Sequence, residues 1–145
     1  MSNTATLQKI LQLRNEEKNR ALLEQKKAMD HFEEVAKKLY TQLKTKENAE
    51  SKLNEYVKSE VIAKIREQTL YIDLLNRQIN TLQREVQIAR ENMEQKRQIV
   101  TEKHVELKKI EKMIEKRMDQ AKKEAALLEM KQMDEISLNR FMRAE

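Results

Sequence analysis

From Ile65 to Leu128 the chain returns to the same kind of residue at every seventh position: Ile65, Ile72, Ile79, Val86, Met93, Val100, Leu107, Ile114, Ala121, Leu128. None is polar. A seven-residue repeat this long holds one seam of an α-helix against a partner and favours left-handed supercoiling. The companion column is Val61, Gln68, Leu75, Leu82, Ala89, Lys96, Lys103, Ile110, Arg117 and Glu124. It is largely apolar up to Ala89 and mixed afterwards, so the seam is strict early and half-polar late.

Composition agrees with a coiled coil. There is no Gly, Pro, Cys or Trp, and 38% of residues are charged. Such a chain lacks the usual signals for tight turns. The sustained apolar period separates it from a disordered polyampholyte. Ser2, Asn3 and Thr4 can cap a first helix. Leu7, Ile10 and Leu11, with Leu13 beside them, form its first apolar group, and the stretch from Asn15 to Arg20 is polar and reads as frayed or exposed. A second, weaker seam follows at Leu22, Met29, Ala36, Leu43, Glu50 and Val57. Phe32, Leu39 and Leu53 are its companions, Gln25 and Lys46 its polar exceptions, and Val35 and Tyr40 widen it.

The two seams are out of phase, since Val57 and Ile65 are eight residues apart. Each seam needs a partner, and the nearest is the other one, so the chain is expected to turn back on itself. The fold class is all-α: a long antiparallel two-helix coiled-coil hairpin, forming a single domain over 1–145. Helix one is expected over about 5–55, a turn near 54–62 with Ser59 capping the next helix, and helix two over about 60–142, the longer arm at ~1.5 Å per residue. From near residue 115 the second helix should outrun the first. Residues 118–142 are rich in Met, Ala and Leu, and an apolar stripe on an unpaired helix end is a partner-docking face.

Chemistry is scarce. His31 and His104 are far apart and no Cys exists to complete a metal site, so both read as surface histidines. The pairs Glu16/Glu17, Glu33/Glu34 and Asp134/Glu135 lack the enclosure that general acid–base catalysis needs. They read as surface charges, with Glu33/Lys37 and Glu34/Lys38 spaced for ion pairs. Without Gly there is no phosphate-cradling loop. The expectation is therefore no enzyme, no cofactor and no catalytic or metal-binding residue. The net charge of +5, from 30 basic and 25 acidic residues, is mild and interleaved as on a solvated rod, without the concentrated basic charge usual in a nucleic-acid binder, so no nucleic acid is expected as partner. The stripe Lys109, Lys112, Lys116 and Lys123 could meet an acidic partner or anionic lipid, but with Glu111, Glu115 and Asp119 interleaved it reads as a solvated face. No apolar run approaches the roughly 18 residues of a membrane span, and the start lacks a secretory signal. Tyr71, Leu74, Leu75 and Gln78 form a further apolar patch, either exposed or widening the core.

These features resemble the flagellar export protein FliJ family. The Leu-rich start from Leu7 to Leu13, the stretch from Tyr71 to Ile79, and the end Met130, Lys131, Gln132, Met133, Asp134, Glu135 with Arg140 and Arg143 carry the resemblance. It implies a fold like the two-helix part of the rotary ATP synthase gamma subunit. It also implies a non-enzymatic, stalk-like component of the bacterial flagellar type III export apparatus. Its implied partners are the export ATPase ring (FliI-like), the export gate membrane protein (FlhA-like) and export chaperones. Its implied place is the cytoplasm, peripherally at the inner face of the cell membrane. The gate-contacting positions matching the family are Leu39, Leu43, Tyr71, Leu75 and Gln78. Met130, Met133 and Phe141 are expected to lead the end into the ring, with Asp134, Glu135 and Arg140 beside them. The family's frequent Gly at the hairpin tip is absent here. The alternatives are the stalk protein of a virulence-type secretion ATPase and a homodimeric coiled-coil scaffold.

Overall fold

The computed structural model describes the backbone from Ser2 to Ala144 and the side chains from Thr4 to Ala144. The capping roles of Ser2 and Asn3 lie outside the described side chains. Two helices account for nearly all of it: α1, Ser2–Lys58, and α2, Ile62–Ala144, with no strand among the described residues. The chain is an all-α antiparallel helical hairpin.

The helices are joined by Ser59, Glu60 and Val61. Without a glycine, the chain ends α1 by placing Glu60 at φ 56°, the left-handed region. Two hydrogen bonds then close the helix end: the Val61 amide donates to the Tyr56 carbonyl (3.4 Å) and the Glu60 amide to the Val57 carbonyl (3.2 Å). This is the pairing of a Schellman C-cap, where Gly is the usual left-handed residue. A side chain there costs about 1–2 kcal/mol. Ser59 does not cap α2. Its amide still donates to Glu55, and α2 opens instead with Val61, whose carbonyl accepts from Ile65.

Contacts divide the chain into two compact units, Arg20–Thr101 and the pair Met1–Asn19 with Glu102–Glu145. In the unit Arg20–Thr101 the α2 seam is as the heptad predicts: Ile72, Leu75, Ile79, Val86 and Ala89 are buried. One column of the α1 seam is shifted by one residue from expectation, while its companions, and Ala36 of the expected column, are half-buried as read. The buried or half-buried column is Ala21, Ala28, Val35, Gln42, Ala49 and Tyr56, with Gln25, Phe32, Leu39, Lys46 and Leu53 as companions. Leu22, Met29, Leu43 and Val57 are 41–52% exposed, and Glu50 is exposed. The reason is steric. Alanines let the helices approach closely, and large α2 residues fill the space, as where Ala49 packs with Ile72, Leu75 and Leu53. The larger α1 residues, one position on, are turned by about 100° toward solvent.

Polar seam residues are accommodated by reaching across or outward. The Gln68 side-chain amide donates to the Ala49 carbonyl at 2.9 Å. Lys46 pairs with Glu50 at 3.8 Å. The Arg90 guanidinium lies 5.7 Å from the centre of the half-buried Phe32 ring.

In the other unit, Leu7 and Leu107 are buried and Ile10, Leu11, Ile110 and Ile114 half-buried. The polar stretch from Asn15 to Arg20 stays helical rather than fraying. Glu17 accepts from Lys103 (3.4 Å) and Arg14 (3.0 Å), and Arg14 also lies 4.0 Å from Glu106. The partial burial of Glu17 pushes its pKa up, but the Arg14 charge, then the Lys103 hydrogen bond and charge, outweigh it and hold the carboxyl below the usual range. These pairs align Glu17 with Lys103, so at equal helical rise Ser2 falls opposite about residue 118.

Candidate partner-docking surfaces

Past the end of the pairing, α2 continues with nothing against it. Every residue from Glu115 to Ala144 is exposed. This end holds Met118, Leu127, Leu128, Met130, Met133, Ile136, Leu138, Phe141 and Met142, each 52–70% open to solvent. Burying one such side chain yields about 1.5–3 kcal/mol. The end therefore carries the binding potential of a small hydrophobic core with no intramolecular outlet. At about 100° per residue these side chains do not form one stripe. Leu127, Met130 and Phe141 fall on one side of the helix with Asp134 among them, while Met118, Ala125 and Ile136 fall on the opposite side with Glu129, Gln132 and Arg143 among them. A helix that carries apolar side chains on both sides suits enclosure rather than a flat surface. Asp134, Glu135 and Arg140 are exposed among them, with no ion pair among the described residues.

The second surface lies on the unit Arg20–Thr101, where the expected gate-facing residues separate. Leu75 is 3% exposed, at the centre of the Ala49–Ile72 cluster, so its placement on an outer face is corrected: it is core. Leu39 is half-buried in the seam. Tyr71 (43% exposed) lines an open groove with Thr45, Asn48, Lys52 and Gln68. Gln78 lines the neighbouring groove with Lys38, Thr41, Arg77 and Thr81. Leu74, 49% exposed, lies between them in sequence. Leu43 lines neither groove. It is about 200° around the helix from both Thr41 and Thr45, on the flank it shares with Leu22 and Met29. Tyr71 and Gln78 thus share a face, and Leu43 belongs to another.

That exposed column of Leu22, Met29 and Leu43 escaped the sequence reading because its seven-residue spacing marked it as seam. The signal that would have found it is the alanine column Ala21, Ala28, Ala49, one residue earlier and equally periodic.

The remaining polar groups offer little chemistry. His31 lines a shallow groove with Ile88, Asn92 and Gln95, and His104 is exposed. Of the two carboxylate–lysine pairs read from spacing, Glu34 and Lys38 meet at 3.6 Å, while no ion pair joins Glu33 to Lys37. Among the described residues no cluster of His, Cys, Asp and Glu could hold a metal ion, and no helix is long and apolar enough to cross a membrane.

Comparison with known proteins follows the same lines. No solved structure matches the chain. A curated relative, the flagellar FliJ protein of Bacillus subtilis (strain 168), is 38% identical over 136 residues, covering 93% of this chain and 92% of the relative. The family model described as flagellar FliJ protein matches residues 3–145. A match over nearly the full chain, on a two-helix antiparallel coiled coil, makes this chain a member of the FliJ family of flagellar export components.

Proposed function

We propose that the chain is a non-enzymatic coupling protein of flagellar export. It uses the bare end of α2 to engage the export ATPase ring and the flank around Tyr71 to engage the export gate. The observation that carries this reading is the exposure of every residue from Glu115 to Ala144 on a helix with apolar side chains on two sides. A sleeve inside a ring encloses a helix from all sides and suits that pattern, while flexible Met side chains at 130 and 133 tolerate a changing wall. Within the end, Met130, Met133 and Phe141 supply the apolar contacts, and Asp134, Glu135 and Arg140 the polar ones.

The gate contact falls to Tyr71 and Gln78, with Leu74 in place of the buried Leu75. A chaperone-escort role fits the remaining exposed apolar column, Leu22, Met29 and Leu43. The protein then works in the cytoplasm, at the inner face of the cell membrane, through these partners.

Deleting residues 125–145 tests the first contact. The truncated protein is expected to fold with an unchanged unit Arg20–Thr101 and to lose capture of the purified export ATPase. Undiminished capture would overturn the reading. For the second contact, Tyr71→Glu with Gln78→Glu is expected to abolish gate binding while ATPase capture persists. A homodimeric scaffold is the competing reading. Sedimentation giving the mass of two chains, lost on the same deletion, would favour it.

A further inference from the structure

In the unit that pairs Met1–Asn19 with Glu102–Glu145, Leu7 and Leu107 are the buried side chains among the described residues, whereas Arg20–Thr101 holds the rest of the buried core. Around these two, Ile10, Leu11, Ile110 and Ile114 are half-buried. An open groove lined by Leu11, Asn15, Leu107 and Glu111 runs along the pairing. Next to this thin patch both helices put a cation on the seam. Arg14 stands in the column of Leu7, Ala21 and Ala28, and Lys103 in the column of Leu75 and Ala89. Two carboxylates tie the cations into a closed ring. Arg14 lies 3.0 Å from Glu17, Glu17 3.4 Å from Lys103, Lys103 3.7 Å from Glu106, and Glu106 4.0 Å from Arg14. Each helix supplies one cation and one anion, and two of the links cross from helix to helix. The four side chains are 30–45% exposed, so salt screens the ring. Removing one carboxylate leaves a seam cation uncompensated, facing the other cation.

We propose that residues 4–19 are a releasable strap on α2, seated over Leu107, Ile110 and Ile114 and latched by the four-charge ring. Closed, the strap covers that stretch of the α2 seam. Open, it uncovers α2 back to about residue 102, while Arg20–Thr101 stays paired. A freed segment of about 16 residues is a marginal helix, so release is local unfolding of the whole strap. The ring sits at the strap's inner end, so its opening frees everything outside it at once. Ionic strength sets the balance, because the apolar patch alone is thin and the ring is screened. The strap goes beyond the docking readings above and operates with no partner present.

Amide hydrogen exchange of the full chain alone, at about 0.05 and 0.5 M NaCl, reads the opening. Amides of residues 7–18 should share one opening frequency, about a hundredfold above that of residues 28–49, and salt should raise it. Glu17→Lys should open the strap about tenfold more often, with salt no longer raising the frequency. Reversal of all four charges (Arg14→Glu, Glu17→Arg, Lys103→Glu and Glu106→Lys) rebuilds the ring with its signs exchanged. That variant should return to about the wild-type frequency and salt response. Unchanged exchange of residues 28–49 in each variant verifies that the rest of the pairing is intact. A frequency that falls steadily from residue 7 inward and ignores Glu17→Lys would mean ordinary end fraying and overturn the proposal. Opening of residues 7–18 only together with residues 28–49 would overturn it too. So would a four-charge reversal that opens like Glu17→Lys. Failure to bind the export ATPase would remove the docking reading and leave the strap standing.

Discussion

The stretch of α2 from Ile65 to Ile114 and the stretch from Glu115 to Ala144 are both rich in large apolar side chains, yet the first buries those of its seam and the second displays all of its own. Hydrophobicity does not separate the two. What separates them is the companion column and the helix opposite. In the first stretch, Leu75, Leu82 and Ala89 complete a seam that α1 covers with small residues. In the second, the companions are Arg117, Glu124 and Lys131, the apolar residues spread to two sides, and α1 offers no surface. A seam is a property of two helices. When its partner stops, the same residues turn from fold to interface.

Paired substitutions can break this comparison. Leu75→Ala should destabilise the unit Arg20–Thr101 by about 2–4 kcal/mol, read from urea unfolding followed by circular dichroism. Leu128→Ala, on the same helix and the same kind of residue, should stay within about 0.5 kcal/mol of wild type. Similar costs at both sites would mean that the end is packed after all.

A smaller effect tests the α1 seam. Ala49→Leu should overpack the contact with Ile72 and Leu75 and cost about 1–3 kcal/mol. Leu43→Ala, which removes the larger side chain, should cost less. The reverse order would restore Leu43 to the core and remove the exposed column it shares with Leu22 and Met29.

Smaller still is the turn. Glu60→Gly relieves a left-handed side chain but frees the unfolded chain, for a net gain of about 0.5–1 kcal/mol in the melting curve. Loss of stability would show that Glu60 makes a contact worth more than its strain.

The least effect is expected from acid. Glu17 has a folded-state pKa below its unfolded value. Its contribution is therefore present above the unfolded pKa, about 4.3, and is lost as pH falls through the lower folded value. Glu17→Gln should remove that part of the acid sensitivity of the pairing between residues 4–19 and 102–114. An unchanged acid limb would assign the sensitivity to other carboxylates.

Much of this was legible in the residues. The α2 column at every seventh position marks its buried face up to Ile114, while charge in the companion column enters already at Lys96 and Lys103, within the pairing, so the reach of α1 rather than the first charge sets where pairing gives out. One column of the α1 face was misread because Leu22, Met29 and Leu43 repeat at the same seven-residue spacing as the alanines one position earlier. In a closely packed pair the small residues are the ones inside, as Ala21, Ala28 and Ala49 are, and Leu22, Met29 and Leu43 are left outside. Leu75 was placed on two faces at once, and its heptad position was the correct guide. The turn was hard to place because Glu60 holds a conformation usually signalled by Gly.

The most direct test of the central claim is amide hydrogen exchange of the full chain, free and with the export ATPase. In the free protein, amides from Ile65 to about Ile110 should be protected and those from about Ala121 onward should exchange fast, since an unpacked helix opens locally at little cost. Adding the ATPase should protect the end and leave Ile65–Val100 unchanged. An end already protected in the free chain, or one still exchanging fast in the complex, would contradict the account.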